Sequence, residues 1–293
     1  MKVVVIGTGS MGPELAAAFA LAGYDTSIAG RTPMGRDAAA ARATEFAAGR
    51  PVIPAPIDAP TFADVDLVVE TIVEDLATKH ELLRRIEPWC HPKAVIATNT
   101  SSLTIGDIAA SMKGPERFAG LHFLKPGHLT GVVEIIPGPR TSAGTTEVLR
   151  DVARQMGKVP LVAQRDVPGF IWNRIQFAVL RECLHMLETG VASAADIDAA
   201  VSDGLAPRWT AAGPLATADL GGLATFTKIC DLLFPHLAND AAAPAAIREP
   251  AERGEALQEW TRLNPDAVAK LRAKALAAGR NIANERGALP EGL

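Results

Sequence analysis

The first 32 residues constrain the fold of this 293-residue chain more than any other segment. Residues 1–6 form an apolar run that predicts a strand, residues 13–22 predict an alanine-rich helix, and residues 25–29 predict a second strand. Between the first strand and the helix, residues 7–12 read Gly-Thr-Gly-Ser-Met-Gly. This spacing is the fingerprint of a dinucleotide-binding turn. A glycine-rich turn without a ligand is the alternative, and the strand–helix–strand order favours the fingerprint.

Each glycine of the fingerprint has its own physical role. Gly7 allows a tight turn, Gly9 lets the backbone approach a pyrophosphate, and Gly12 lets the helix pack closely on the strand. With Ser10 and Met11, these glycines form the turn at the N-terminus of the helix. The phosphates of a bound dinucleotide are expected there, at the positive end of the helix dipole. We therefore predict that the chain binds a dinucleotide such as NAD or NADP.

The end of the second predicted strand bears on the choice between these two cofactors. An NAD site usually carries Asp or Glu there, to hold the ribose 2′-hydroxyl. This chain has Gly30, Arg31 and Thr32 instead. A glycine leaves room for a 2′-phosphate, and the arginine and threonine offer donors to it. The sequence thus favours NADP, with the alternative that Arg31 only lies along the adenine.

Composition excludes several classes of function. Hydrophobic residues make up 48% and charged residues 21% of the chain, which is ordinary for a globular protein of two domains. The net charge of −4 disfavours a nucleic-acid binder. No uncharged apolar run approaches the length of a membrane span, and the early fingerprint leaves no room for a signal peptide. We expect a cytoplasmic protein that acts on a small molecule.

The three cysteines, Cys90, Cys183 and Cys230, are isolated in sequence. Their odd number and the lack of a C-x-x-C pair support neither a disulfide framework nor a zinc site. We expect reduced thiols and no bound metal.

The two halves of the chain differ in pattern. Apolar runs alternate with helical patterns up to about residue 166, which predicts a Rossmann-type doubly wound parallel sheet with helices on both faces. Beyond Pro168 and Gly169 the strand signals fade. We therefore predict an α/β domain over residues 1–166 and an all-helical domain over residues 167–293. Its helices are predicted at residues 171–188, 216–234, 250–263 and 265–285.

Polar side chains follow three of the predicted strands. Ligands of open α/β sheets bind beyond the carboxyl ends of strands, so Glu74 and Lys79 could face the cofactor. A solvated charge pair on a helix start is the alternative. Asn99 and Ser101 could bond a substrate oxygen or the nicotinamide ribose, while Thr104 serves to cap the helix that follows.

The third position pairs a histidine with a carboxylate. His122 stands near the end of a predicted strand, and Glu134 lies inside an apolar one. Histidine is a natural proton carrier near neutral pH, and a carboxylate buried without a partner is costly. A hydrogen-bonded core histidine is the alternative, and a buried glutamate favours a pair.

These motifs resemble the L-3-hydroxyacyl-CoA dehydrogenase family. The matching segments are residues 7–12, 69–79, 99–103, 120–123 with Glu134, and 168–174, in the family's order. The resemblance implies a Rossmann domain, a helical domain that forms a homodimer, and hydride transfer between a nicotinamide cofactor and a 3-hydroxyacyl substrate, by default a CoA thioester. The roles that it implies are His122 as base, Glu134 as its orienting partner, Ser101 and Asn173 on the substrate, and Glu74, Lys79 and Asn99 at the cofactor.

Two departures from the family pattern concern the substrate. Lys125 stands where the family usually has Asn, and it could meet an anionic group or point to solvent. The sequence around Arg208 looks more like the branch that acts on free hydroxy acids, such as gulonate or carnitine dehydrogenases. Arg208 could bind a carboxylate or form a structural salt bridge. A free 3-hydroxy acid and a carrier-bound acyl group therefore stay open as substrates, as does a catalytically silent dinucleotide sensor.

Overall fold

A computed structural model describes residues 1–258 and 264–287 of the chain. The chain divides into two compact units, Met1–Arg174 and Ile175–Leu293. The α/β unit comes first and the helical unit second, so the predicted fold class is confirmed.

The first unit is built on one eight-stranded sheet. Its order is β3-β2-β1-β4-β5-β6-β7-β8, and along the described chain only the β6–β7 pairing is antiparallel. The strands are β1 Lys2–Ile6, β2 Asp25–Ala29, β3 Ile53–Ala55, β4 Leu67–Glu70, β5 Val95–Thr98, β6 Phe118–Phe123, β7 Val132–Pro137 and β8 Val159–Val162.

Helices cover both faces of this sheet. They are α1 Met11–Leu21, α2 Pro33–Phe46, α3 Ala59–Phe62, α4 Leu76–Ile86, α5 Ile105–Ala109 and α6 Ala143–Gln155. One apolar cluster joins α1, α2 and α6 to one face, and a second joins α4 and α5 to the other. The central strands β4 and β5 are buried along their whole length, which explains their continuous apolar sequence.

The order of the strands determines where a ligand can bind. The chain runs outward from β1 to β2 and β3, then returns to β4 on the other side of β1. This reversal opens a crevice at the carboxyl ends of β1 and β4, the usual ligand site of an open α/β sheet.

The second unit is helical throughout its described part. It contains most of α7 Trp172–Glu188, then α8 Ala194–Ala199, a π-helical stretch Ala200–Leu205, α9 Ala206–Ala211, α10 Pro214–Gly221, α11 Leu223–Leu233, α12 Ala245–Arg253 and α13 Pro265–Gly287. No helix within residues 1–258 and 264–287 is long and apolar enough to cross a membrane.

Two of the predicted helices in this unit were wrong in extent. The single helix predicted over 216–234 is broken at Gly222, whose φ of +86° is outside the helical region. The helix predicted over 250–263 begins earlier, so Pro250 lies inside it instead of starting it. That helix ends at Arg253 because Gly254 takes the left-handed conformation of a helix cap. Residues 259–263 lie outside the described residues.

Candidate active site

A cavity of about 670 Å³ lies at the crevice beyond the carboxyl ends of the central strands. The fingerprint lines one side of it, with Gly7, Gly9, Ser10 and Met11. The other lining residues include Gly30, Arg31, Glu74, Asn99 and Ser101. The structure therefore gathers most of the residues assigned from the sequence around one cavity.

The three fingerprint glycines differ in their surroundings. A Cβ on Gly12 would lie 1.9 Å from the carbonyl oxygen of Gly7, and one on Gly7 would lie 2.5 Å from that of Thr71. Gly7 also has a φ of +128°, which favours glycine. A Cβ on Gly9 would meet nothing within 4 Å, so this backbone is open to the cavity. The turn thus fits the close approach of a pyrophosphate to Gly9.

The end of β2 explains the missing acid. A Cβ on Gly30 would lie 2.6 Å from Cγ2 of Thr8, so an Asp or Glu there would require Thr8 to move. Arg31 is exposed and lines the cavity. The hydroxyl of Thr32 accepts a hydrogen bond from the N–H of Gly35 and caps α2. The sequence analysis explained Gly30 only by the choice of cofactor. The structure adds a packing reason, because the neighbouring Thr8 leaves room only for a small residue at position 30.

Glu74 holds the turn that follows β5. Its Oε1 accepts hydrogen bonds from the Thr100 hydroxyl at 2.6 Å, the N–H groups of Ser101 and Ser102 at 2.8 and 2.9 Å, and the Ser102 hydroxyl at 3.0 Å. Burial opposes ionisation of Glu74, but these hydrogen bonds and the nearby Lys79 outweigh it and lower its pKa to about 2. The carboxylate is therefore ionised over the whole physiological pH range.

Lys79 is buried, so the alternative of a solvated charge pair at the helix start is wrong. Its side chain is 0% exposed, and its Nζ lies 2.8 and 3.0 Å from the two carboxylate oxygens of Glu70 and 3.5 Å from Glu74. Glu70, also 0% exposed, accepts further hydrogen bonds from Thr98 and from the N–H of Ile72. Sequence reasoning missed Glu70 because it reads as the last residue of an apolar strand.

Asn99 connects neighbouring strand ends at the cavity. Its Oδ1 accepts the N–H of Phe123 at 2.7 Å, and its Nδ2 donates to the Thr71 hydroxyl at 3.3 Å. These two bonds fix the Asn99 amide between Thr71, which contacts Gly7 of the fingerprint, and Phe123, which follows His122 in β6.

His122 and Glu134 form a buried pair. They lie directly opposite each other in the antiparallel β6–β7 ladder, so their side chains emerge on the same face. Nδ1 of His122 is 2.6 Å from Oε2 of Glu134, and the two residues are 3% and 0% exposed. The opposite ring nitrogen, Nε2, is 3.1 Å from the hydroxyl of Ser101.

The other oxygen of Glu134 caps the start of α7. Oε1 accepts the N–H groups of Ile171 and Trp172 at 2.9 and 2.8 Å. Burial favours the neutral acid, but the bond from His122 and the two backbone donors outweigh it and hold the pKa of Glu134 below its ordinary value. Phe170, whose φ is +50°, packs its ring edge-to-face on His122 at 5.6 Å. The segment that follows β8 therefore contacts both His122 and Glu134.

The remaining predicted substrate residues are Asn173, Lys125 and Arg208. Nδ2 of Asn173 donates to the carbonyl oxygen of Ser101 at 3.2 Å, so Asn173 joins the site. Lys125 is exposed just beyond the carboxyl end of β6 and, among the described residues, is not one that lines the cavity. Arg208 is an exposed residue of α9 in the second unit.

This geometry determines how the imidazole can act. An ionised Glu134 only accepts hydrogen bonds, so Nδ1 of a neutral His122 must carry the proton that it shares with Oε2. Nε2 is then left bare and directed towards Ser101, where it can take up a proton. The bond to Glu134 thus fixes the direction in which Nε2 of His122 points.

Sequence comparison matches both units to one family. The "3-hydroxyacyl-CoA dehydrogenase, NAD binding domain" profile covers residues 2–167, and the "3-hydroxyacyl-CoA dehydrogenase, C-terminal domain" profile covers residues 169–263.

Individual relatives include enzymes with different substrates. The 5-formyl-3-hydroxy-2-methylpyridine 4-carboxylate 5-dehydrogenase of Mesorhizobium japonicum is 30% identical over 97% of this chain and 99% of its own length. A 3-hydroxybutyryl-CoA dehydrogenase of Clostridioides difficile is 32% identical over 80% of this chain and 87% of its own. A crystal structure of an enzyme with the former activity, described as an NAD+-dependent dismutase, superposes with a TM-score of 0.90 at 28% identity, covering 97% of this chain and 99% of that one.

Proposed function

The chain belongs to the 3-hydroxyacyl-CoA dehydrogenase family of oxidoreductases, and from that premise we propose that it transfers a hydride between a hydroxyl-bearing carbon and a nicotinamide cofactor, with His122 and Glu134 as proton carrier. The observation that carries the proposal is the buried 2.6 Å contact of this pair, with Nε2 facing Ser101 at the edge of the fingerprint cavity. A histidine placed in this way is poised to receive a hydroxyl proton.

The cofactor would lie against the fingerprint turn. Gly7, Gly9 and Gly12, with Ser10 and Met11 at the start of α1, supply the open backbone and the helix end that suit a pyrophosphate. Asn99 and Glu74 also line the cavity and are the proposed partners of the nicotinamide end. When bound, the nicotinamide ring takes or returns the hydride.

The protein's own residues handle the proton. The substrate hydroxyl lies against Ser101 and gives its proton to Nε2 of His122, while the C–O single bond becomes a carbonyl and the hydride leaves the same carbon. Glu134 stabilises the imidazolium that forms, because its ionised Oε2 remains bonded to Nδ1. In the reverse direction His122 returns the proton to the developing alkoxide. Asn173 holds the turn that carries Ser101 and offers a polar group to the substrate.

We propose NADP as the preferred form of the cofactor. Arg31 lines the cavity at the end of β2, and no acidic side chain stands at position 30 to repel a 2′-phosphate. Thr32 is engaged as the cap of α2, so Arg31 is the proposed partner of the 2′-phosphate.

The two candidate substrates are a CoA thioester, as in the 3-hydroxybutyryl-CoA dehydrogenase relatives, and a free carboxylic acid. The extent of similarity favours the free acid: the relative that acts on a pyridine carboxylate matches 97% of this chain. Lys125, exposed just beyond the carboxyl end of β6, is one proposed partner of such a carboxylate. Arg208, exposed on α9, stays a second candidate from the sequence pattern alone.

A panel assay separates these possibilities. Cofactor oxidation or reduction is followed with acetoacetyl-CoA, a carrier-bound 3-oxoacyl group, free 3-hydroxy acids and hydroxymethyl or formyl pyridine carboxylates. Turnover of any of them supports the dehydrogenase, and the ratio of kcat/KM values identifies the substrate class. Tight binding of a dinucleotide with no turnover of any compound would favour a silent sensor and overturn the proposal.

We also propose that the helical unit forms a homodimer. Large apolar side chains of α10 and α11 are exposed, among them Leu215 at 85%, Leu220 at 82% and Leu232 at 70%. A second copy of this unit would cover such a face. Sedimentation velocity on the wild type and on Leu220→Asp/Leu232→Asp tests this, with a dimer and a monomer expected respectively.

A further inference from the structure

Glu70, Lys79 and Glu74 form a charged group beside the cavity, in which the side chains of Glu70 and Lys79 are buried and that of Glu74 is 36% exposed. Glu70 and Lys79 are each 0% exposed, and Lys79 has both carboxylates within 3.5 Å. Among the described residues that line the cavity, Glu74 is present while Lys79 and Glu70 are absent. The ammonium therefore faces the two carboxylates.

The same group is connected to the turn that presents Ser101. Four donors from Thr100, Ser101 and Ser102 converge on one oxygen of Glu74, at 2.6 to 3.0 Å. An oxygen that accepts so many bonds must be ionised, since a protonated carboxyl would lose acceptor capacity. The Ser101 hydroxyl, fixed by this turn, lies 3.1 Å from Nε2 of His122.

We propose that Lys79 is a positioning residue: its ammonium balances the buried charge of Glu70, so that the Glu74 carboxylate can hold the turn that carries Ser101 against His122. This inference rests on the proposed function only for its consequence in turnover. The chain of contacts runs from Glu70 through Lys79 and Glu74 to Ser101.

Electrostatics gives the expected result of removing the cation. Without Lys79, the buried carboxylate of Glu70 would lose its counter-charge beside the ionised Glu74, and the two like charges would either take up a proton or move apart. The titratable groups that face this space are Glu70 from β4 and Glu74 and Lys79 from around the start of α4; Asp75 is exposed and bonded to Thr78. A proton on either carboxylate, or a displacement of Glu74 away from Glu70, would weaken the bonds that Glu74 makes to the amides of Ser101 and Ser102.

A charge-balanced pair of variants tests this inference. Lys79→Met removes the cation, and Glu70→Gln/Lys79→Met removes the cation together with its charged partner. In the double variant Glu74 is again a single carboxylate with four donors. Lys93→Met, at an exposed lysine, controls for the loss of a lysine as such.

The first readout is hydrogen exchange of a peptide that spans residues 99–103. The amides of Ser101 and Ser102 are bonded to Glu74, so their protection reports the turn directly and does not depend on activity. We expect faster exchange in Lys79→Met, and protection restored in the double variant. Unchanged protection in Lys79→Met, or equal loss in both variants, would overturn the role of Lys79 as a counter-charge.

The second readout is turnover together with the dinucleotide Kd, measured by quenching of protein fluorescence. We expect kcat to fall about 10- to 100-fold in Lys79→Met, as for a misplaced catalytic group, with a Kd within roughly threefold of the wild type. The double variant should recover most of the lost kcat. A dinucleotide Kd that is weakened to the same extent in both variants would instead make Lys79 a cofactor ligand.

These outcomes separate the inference from the proposed function. If the wild type turns over no substrate, the proposed function fails while the exchange data still decide the role of Lys79. If Lys79→Met does not fold, Glu74→Gln in the double-variant background serves instead, and it should free the amides of Ser101 and Ser102.

Discussion

Oε2 of Glu134 lies 2.6 Å from Nδ1 of His122, directly across the antiparallel pair β6–β7. Replacing the carboxylate by an amide keeps the shape of the side chain but removes the charge that stabilises an imidazolium. We expect Glu134→Gln to lower kcat by on the order of 10²-fold in steady-state assays, with little change in dinucleotide affinity. Glu147→Gln, at an exposed carboxylate of α6, is the matched control and should retain wild-type kcat. Equal rates for the wild type and Glu134→Gln would remove Glu134 from the mechanism.

Two fingerprint glycines should respond differently to the same added methyl group. Gly9→Ala places its Cβ in open space, so we expect an unchanged melting temperature and a dinucleotide Kd raised roughly tenfold or more. Gly12→Ala places its Cβ against the carbonyl oxygen of Gly7, so we expect the free energy of unfolding to fall by about 1–3 kcal/mol or more. Thermal unfolding and fluorescence titration measure both. A Gly9→Ala variant that binds as tightly as the wild type would place the pyrophosphate elsewhere.

Arg31 provides a test of cofactor preference. A charged hydrogen bond to a 2′-phosphate stabilises binding by roughly 1.5–3 kcal/mol. We expect Arg31→Ala to raise KM for NADP by about 10- to 100-fold and to change KM for NAD little. Arg42→Ala, at an exposed arginine within α2, is the control. A wild type that clearly prefers NAD would mean that Arg31 only flanks the adenine.

Acid stability tests the ionised state of Glu74. Its pKa is about 2 in the folded chain against an ordinary value of 4.5, so its contribution to stability is complete above pH 4.5 and disappears as the pH falls towards 2. Glu74→Gln should therefore be less stable than the wild type at pH 6, with the difference shrinking below pH 4.5. Urea unfolding at a series of pH values measures this. A difference that stays constant down to pH 3 would show that Glu74 gains nothing from ionisation.

The fold of the first unit could be predicted from the sequence, because its apolar runs and its glycine spacing indicate the same strand–helix order. Buried parallel strands leave continuous apolar runs, and the glycine spacing of residues 7–12 belongs to a strand–turn–helix unit. The helical half was harder, because Gly222 and Gly254 end helices through single backbone conformations. Pro250 led to a wrong helix start at residue 250, because this proline lies inside α12 and not at its first position.

The candidate site shows what local patterns omit. The pairing of His122 with Glu134 was predictable, because a carboxylate in an apolar strand needs a partner. Glu70 was missed although it is equally buried, because its partner Lys79 comes from the helix that follows and only the folded chain brings them together. The reason for Gly30 was also hidden, since its neighbour Thr8 is distant in sequence.

The central claim is that His122 carries the proton. The most direct test compares His122→Ala with the wild type in kcat and in dinucleotide Kd, using the best substrate of the panel. We predict a kcat lower by about 10²- to 10⁴-fold and an unchanged Kd, because the fingerprint turn lies apart from the histidine pair. Wild-type turnover in His122→Ala would contradict the account.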